Sequence, residues 1–316
     1  MQKQILRSAL PAPLLLLIVL CFSAPPTLPV GALQAVSSVT GDLRLHSFTS
    51  HVFSNARFLR VLVPPGYDDP KNQGKRYPVL YLNDGQDLFD PQTSLFNRME
   101  WRVDETVHDL VATGAIPPLI VVGIDSAGRQ ARFKEYFPWV DSFLQPPEPH
   151  PQGEHYPAFL VDEVMPFINA RYRTLTAPEQ TGIGGSSAGA LAALYAAIHR
   201  PGVFGRLLIE SPSIYLDDYH ILREASHVES WPERIFLGVG TNELGAPDCR
   251  PDDAQEAELV HDVRELEKTL LEKGVKADRI RLLITPCAQH NEQAWAERLP
   301  SALRFLFGTL APSHHP

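Results

Sequence analysis

The sequence predicts an α/β fold, with a mostly parallel central sheet flanked by helices in a single domain. Three observations carry that expectation. Short apolar runs rich in β-branched residues alternate with longer segments of helical period, the pattern of strand–helix–strand units joined by right-handed crossovers. Several runs, such as Ile120-Val121-Val122-Gly123-Ile124, are apolar at nearly every position, as a strand buried on both faces requires. No linker interrupts the series, and 316 residues are enough to bury one large core.

In chain order, "GDLRLHSFTSHVFSNARFLRVLVPPGY" reads as two strands closed by a Pro-Pro-Gly turn. "RYPVLYLNDGQ" is a short apolar strand ending in Asp-Gly, a strong turn signal. "PPLIVVGID" is a further buried strand. The Pro-rich stretch over residues 144–157 reads as a long surface loop, since strands of one sheet continue on both sides of it. "YPAFLVDEVMPFINARY" has helical character disturbed near Pro166. "TGIGGS" is a strand that runs into the helix "AGALAALYAAIH", stopped by Pro201. "RLLIES" and "RIFLGVG" are strands. Between Ala254 and Lys273, Leu259, Val263, Leu266 and Leu270 recur at helical spacing, and Gly274 sits where a C-terminal cap belongs. "RIRLLIT" is the last strand and "EQAWAERLPSALRFLF" the last helix, followed by a tail.

The N-terminal residues have the composition of a targeting segment. Lys3 and Arg7 precede the apolar run "LLLLIVLCF", which is too short to span a bilayer, and Val30-Gly31-Ala32 offers small residues for cleavage. The expectation is a signal peptide over residues 1–32 and a domain over 33–316. The chain would be exported to a periplasmic or extracellular space, with no membrane attachment after cleavage. The rival reading is a retained N-terminal anchor. Leu20 before Cys21 is too large for a lipoprotein site. A formal net charge of −9 argues against nucleic acid as a partner.

Gly185-Ser186-Ser187-Ala188-Gly189 fits G-x-S-x-G with Ser187 at the centre. A nucleophile on a very tight strand-to-helix turn needs small neighbours two residues away, and the turn presents its hydroxyl at a helix N-terminus. There the N–H of Ala188 points to where negative charge develops in acyl transfer. The competing explanation is a helix-capping serine among packing glycines. A hydroxyl needs a base. Among 12 histidines, His290 alone stands in a loop between the last strand and the last helix, whereas His199, His220 and His261 lie on or beside helices. In this architecture the acid precedes the histidine in the chain. Glu243 is the first carboxylate after its strand, with Asp248, Asp252 and Asp253 behind it. A second oxyanion donor is expected from the backbone of Gly85 or Gln86, in the turn after an earlier strand. Cys249 and Cys287 fall in the acid loop and the histidine loop. A disulfide between them would be worth about 3–4 kcal/mol of loop-closure entropy.

These blocks, in order, resemble the esterase family that includes enterochelin esterase and esterase D, within the α/β-hydrolase superfamily. The resemblance runs from about Leu43 to Phe307 through "LVPPGYD", "YPVLYLNDGQDLFD", "VVGIDSAGRQARFKEY", "GGSSAGALAALYAA", "FGRLLIESPSIY" and "AQHNEQAWAERLP". It implies an α/β-hydrolase fold, Ser187 as nucleophile, His290 as base and a carboxylate near Glu243. Where the family has Met-Gly-Gly after the nucleophile, this chain has Ala188-Gly189-Ala190, so the essential glycine survives and the pocket floor differs. Some relatives manage with a serine–histidine pair alone.

The expected function is serine carboxylic-ester hydrolysis through an acyl-enzyme, on a small-molecule ester. No metal or organic cofactor is called for. His150 and His155 sit among prolines without nearby cysteines, which suits a plain loop better than a metal site. Trp101, Arg132 and Tyr136, with Trp139, Tyr215 and Trp295, are the candidate substrate-binding side chains. The rivals are acyl transfer to a sugar or lipid alcohol, which would need an acceptor for product to form, and a non-catalytic binding protein, which would leave activated esters intact.

Overall fold

The computed structural model describes residues 37–140, 148–249 and 258–308. The segment 1–32, Asp252, Asp253, the start of the helix expected at Ala254 and the C-terminal tail lie outside them.

Eight strands form one sheet: β1 Asp42–Ser50, β2 Asn55–Val63, β3 Val79–Asn83, β4 Ile120–Ile124, β5 Thr181–Ser186, β6 Arg206–Glu210, β7 Arg234–Gly240 and β8 Ile280–Thr285. Their order is β1-β2-β4-β3-β5-β6-β7-β8. β1–β2 and β2–β4 pair antiparallel, and every later pair is parallel. Because β3 lies between β4 and β5, the sheet runs unbroken past the Pro-rich loop that separates β4 from β5 in sequence.

The helices are α1 Val103–Ala112, α2 Arg129–Tyr136, α3 Tyr156–Ala158, α4 Met165–Arg171, α5 Ala188–His199, α6 Leu216–Ala225, α7 Glu258–Glu272 and α8 Glu292–Phe307. They divide between the faces of the sheet. Val79, Tyr81, Ile209 and Leu237 point into a core shared with α2 to α7. Their neighbours Leu80, Leu82, Leu208 and Phe236 point into a second core under α1 and α8. Successive strand residues face opposite ways, so consecutive apolar positions are what a sheet covered twice needs. Each such buried side chain contributes about 1.5–3 kcal/mol.

The disturbance expected near Pro166 lies just upstream of it. Residues Phe159–Val164 widen into a π turn, and Pro166 stands near the start of α4, where its missing N–H costs nothing to the new helix. The sequence reading passes over α1, α2 and α6. α2 has no apolar stripe because it buries charge instead: Arg132 pairs with Asp84, and Glu135 with Arg57.

Candidate active site

β5 ends at Ser186 and α5 starts at Ala188, leaving Ser187 alone between them with φ 56° and ψ −129°. Its N–H donates to the carbonyl of Glu210 on β6 at 2.9 Å, and its carbonyl accepts from the N–H groups of Ala190 and Leu191. These bonds hold a conformation that a non-glycine residue adopts only at a cost. A Cβ on Gly185 would stand 2.8 Å from the backbone of Gly189, and one on Gly189 would stand 2.8 Å from Asp84 Oδ2, so neither position admits a side chain. From Thr181 to Ala190, Ser187 is the one residue that is partly exposed and not buried.

Strain recurs around it. Asp84 follows β3, Ser211 follows β6 and Cys287 closely follows β8, and each has a positive φ without being glycine. Four strands thus end in forced turns at the carboxyl edge of the sheet, where the chain bends sharply to present side chains.

Glu243 stands three residues beyond β7, and His290 stands two residues before α8. Asn291, next to His290, caps α8 by accepting from the N–H of Ala294 at 3.0 Å. His290 Nδ1 lies 2.7 Å from Glu243 Oε2. Glu243 Oε1 accepts from the Ser211 hydroxyl at 2.7 Å and from the Gly240 N–H at 2.5 Å. Burial pushes the Glu243 carboxyl up, but its bond to His290, the charge of that ring and the two further donors outweigh burial and leave it below the usual carboxylate value. Asp248, the rival acid within the described residues, is exposed. His199 pairs with Glu224, His220 pairs with Asp217 and stacks on Trp139, and His261 is exposed on α7.

Cys249 and Cys287 are joined by a disulfide, 38 positions apart in sequence with Cα atoms 5.7 Å apart. It links the loop after β7 to the loop after β8.

Ser187 and His290 line one cleft of about 200 Å³ with Ser186, Asp84, Asp87, Phe96, Asn97, Trp101, Arg132, Phe133, Glu292 and Trp295. A broader groove of about 680 Å³ along α1 and α8 lies apart from them. Of the expected substrate contacts, Trp101, Arg132 and Trp295 line the cleft, and Tyr136, Trp139 and Tyr215 do not. The Arg132 guanidinium is buried and spent on a two-pronged pair with Asp84, both bonds at 2.8 Å, so it has little left for a ligand. Tyr136 is wholly buried, and its hydroxyl accepts from the Asp84 N–H at 3.3 Å, a structural position behind the cleft. Gly85 and Gln86 are buried between the lining residues Asp84 and Asp87. The Gln86 side chain is engaged by Ser126 and Asp87. Ala188 is the first residue of α5, where backbone N–H groups lack a partner within the helix.

A model of the family described as "Putative esterase" matches residues 50–306. The chain belongs to this esterase family. It is a carboxylic ester hydrolase with an α/β-hydrolase fold. The esterase is 24% identical to the Bacillus subtilis protein YbbA over 83% of its own length and 96% of that protein's. It is 30% identical to the siderophore enterobactin esterase of Emericella nidulans, over 48% of this chain and 51% of that one. Among solved structures, its fold matches the enterobactin esterase FES of Shigella flexneri with a TM-score of 0.65 at 18% identity, over 85% of this chain and 60% of that one. A ferulic acid esterase matches with a TM-score of 0.61 at 18% identity, over 84% and 98%.

The sequence reading of the esterase misses the residues behind Glu243. Ser211 is fully buried; its oxygen accepts from Trp295 Nε1 at 3.1 Å and Arg298 Nη2 at 3.5 Å while its hydroxyl donates to Glu243. With those two donors filling its lone pairs, the hydroxyl proton is directed to the carboxylate. Arg298 in turn pairs with Glu210 at 2.8 Å, both fully buried. Burial pushes the Glu210 carboxyl up to about 7, against the pull of Arg298. One signal was available: Ser211 stands immediately after β6, as Ser187 does after β5. The Asp84–Arg132 pair had none, since its partners meet only through the fold.

Proposed function

We propose that the esterase works through an acyl-enzyme on Ser187, with His290 as base and Glu243 as the residue that orients it. The observation that supports this most is Ser187 held in a strained turn on the same cleft as His290, whose far nitrogen is occupied by Glu243 at 2.7 Å. With Nδ1–H donated to Glu243, Nε2 is the free lone pair that accepts the serine proton. Ser187 attacks the ester carbonyl, and His290 delivers the proton to the leaving alcohol. Water, activated by the same imidazole, then releases the acid. The N–H of Ala188 faces the developing oxyanion, joined by a backbone N–H from the Gly85-Gln86 turn. A donor of this kind is worth about 3–4 kcal/mol of barrier.

The substrate is a small-molecule ester. Phe96, Trp101, Phe133 and Trp295 give the cleft aromatic walls, which favour an acyl group carrying a flat ring; the similarity to enterobactin and ferulic acid esterases agrees with that class. The chain is exported by its N-terminal segment, in keeping with a disulfide near the site.

An alkyl fluorophosphonate probe tests the mechanism. Mass spectrometry is expected to find Ser187 labelled, with the label lost in Ser187→Ala and kept in Ser186→Ala. Labelling of Ser186, or none in a chain that cleaves p-nitrophenyl butyrate, overturns the assignment.

A further inference from the structure

Away from the cleft, the start of α1 holds a group of acids with no catalytic part. Asp104 and Glu105 lie in its first turn, and Glu100 stands just before it. One carboxylate oxygen of each lies within 4.8 Å of those of the other two. Each residue also has an oxygen already engaged. Glu100 Oε1 accepts from the Ser38 hydroxyl at 3.0 Å, Asp104 Oδ2 from the Thr40 N–H at 2.5 Å, and Glu105 Oε1 from Arg102 Nε at 3.2 Å. The remaining oxygens, Glu100 Oε2, Asp104 Oδ1 and Glu105 Oε2, are buried with no hydrogen-bond partner. Asp104 as a whole is 1% exposed.

A buried carboxylate oxygen without a donor is costly, and carboxylates gathered this closely repel one another as well. The helix N-terminus accounts for acids in its first turn, but its field offsets only about 0.3–1 kcal/mol each and does not reach for Glu100. Arg102 bonds Glu105 from a side chain 63% exposed. A single cation among the three satisfies all of them at once.

We infer that Glu100, Asp104 and Glu105 form a Ca²⁺ site. The donors are all carboxylate oxygens, with no imidazole or thiolate, which selects a hard cation over zinc or copper. One oxygen of each residue lies within 4.8 Å of the others, close enough to share one ion, and an irregular all-carboxylate set suits the flexible shell of Ca²⁺ better than the strict octahedron of Mg²⁺. Glu100 and Glu105 line the groove along α1 and α8, which gives the ion an entry and leaves room for water ligands. The ion ties α1 to the segment at Ser38–Thr40 and to the chain leading into Trp101, whose N–H bonds the carbonyl of Asp87 at 3.0 Å. The sequence reading calls for no metal, and this site stands outside the catalytic centre and independent of the mechanism above.

Calorimetric titration of the chelator-stripped, full chain with CaCl₂ tests it, alongside thermal unfolding. One site per chain is expected, with a Kd of about 10⁻⁴–10⁻³ M as in extracellular modules, a rise in Tm with Ca²⁺, and a weaker response to MgCl₂. Asp104→Asn and Glu100→Gln should each weaken Ca²⁺ binding at least about tenfold, on the scale of losing one ligand charge. Glu105→Gln, at a partly exposed position, should do the same without disturbing the fold, and so serves if Asp104→Asn does not fold. No binding heat and no change in Tm up to about 10 mM Ca²⁺, roughly tenfold above the weakest class of such sites, overturns the inference. So does binding that is unchanged in Glu105→Gln and Glu100→Gln.

Discussion

On one side of the cleft Glu243 is buried against His290, the Ser211 hydroxyl and the Gly240 N–H, and its carboxyl sits below the ordinary value. On the other side Asp87 is buried too, and it also has donors: the Leu95 N–H at 2.6 Å and Gln86 Nε2 at 2.8 Å. Yet burial, with the carboxylate of Asp84 and that of Glu292 adding to it, pushes Asp87 up to about 7. The number of donors does not separate the two. The sign of the nearest ionic neighbour does. One wall is arranged to keep a carboxylate ionised beneath an imidazole; the other lifts a cleft-lining carboxyl toward neutral pH.

Four substitutions break or sharpen that contrast. The largest effect falls on the histidine wall: Glu243→Gln should lower kcat by about 10³–10⁴-fold, because the Ser211 and Gly240 donors hold the amide oxygen and turn its NH₂ to Nδ1, which imposes the wrong tautomer, while circular dichroism shows the fold unchanged. On the opposite wall the cost moves from rate to stability. Arg132→Ala leaves Asp84 charged and alone in the interior, and urea unfolding should show a loss of about 3–5 kcal/mol.

Asp87→Asn reads out the raised carboxyl itself. Its folded-state value near 7 lies above the ordinary carboxyl value. The stability it contributes is therefore present below about pH 4, the unfolded value, and is lost as pH rises to about 7. Asparagine does not titrate, so the variant should gain on the wild type across that window, by on the order of 3 kcal/mol at pH 7. Unfolding curves at pH 4, 5.5 and 7 measure it, and a difference independent of pH removes the contrast between the walls. The smallest effect is that of Ser211→Ala, which takes one of three donors from Glu243. A fall of about tenfold in kcat with KM little changed is expected, since the loss is in alignment of the base and not in binding.

Much of this was legible in the chain. The strands announce themselves because a sheet covered on both faces needs apolar residues at consecutive positions, and β3, β4, β6 and β7 supply them. Ser187, Glu243 and His290 were picked out because each follows a strand at the sheet's carboxyl edge, in the order the architecture imposes; the structure sets the last two against each other and the first on their cleft. What stayed hidden was charge that pairs across the fold. Arg132 read as a ligand contact because nothing local says that Asp84, 48 positions earlier, will absorb its guanidinium. Arg298 was unremarked for the same reason, as were the acids at the start of α1, whose convergence with Glu100 depends on how the helix is entered; Ser211, though it stands directly after β6, shows its role only once Glu243, Trp295 and Arg298 meet it in the fold.

The sulfur–sulfur bond between Cys249 and Cys287 spans the two loops that carry Glu243 and His290. Keeping these two side chains in register is thereby entrusted in part to a covalent tether of the kind that persists in an oxidising compartment. With that bond reduced, the two loops would still be joined by hydrogen bonds, from the Asn242 N–H to the Ala288 carbonyl at 3.1 Å and from the Cys287 N–H to the Thr241 hydroxyl at 2.8 Å, so the redox state of the surroundings sets how firmly Glu243 and His290 are held together, which under the proposed mechanism bears on rate.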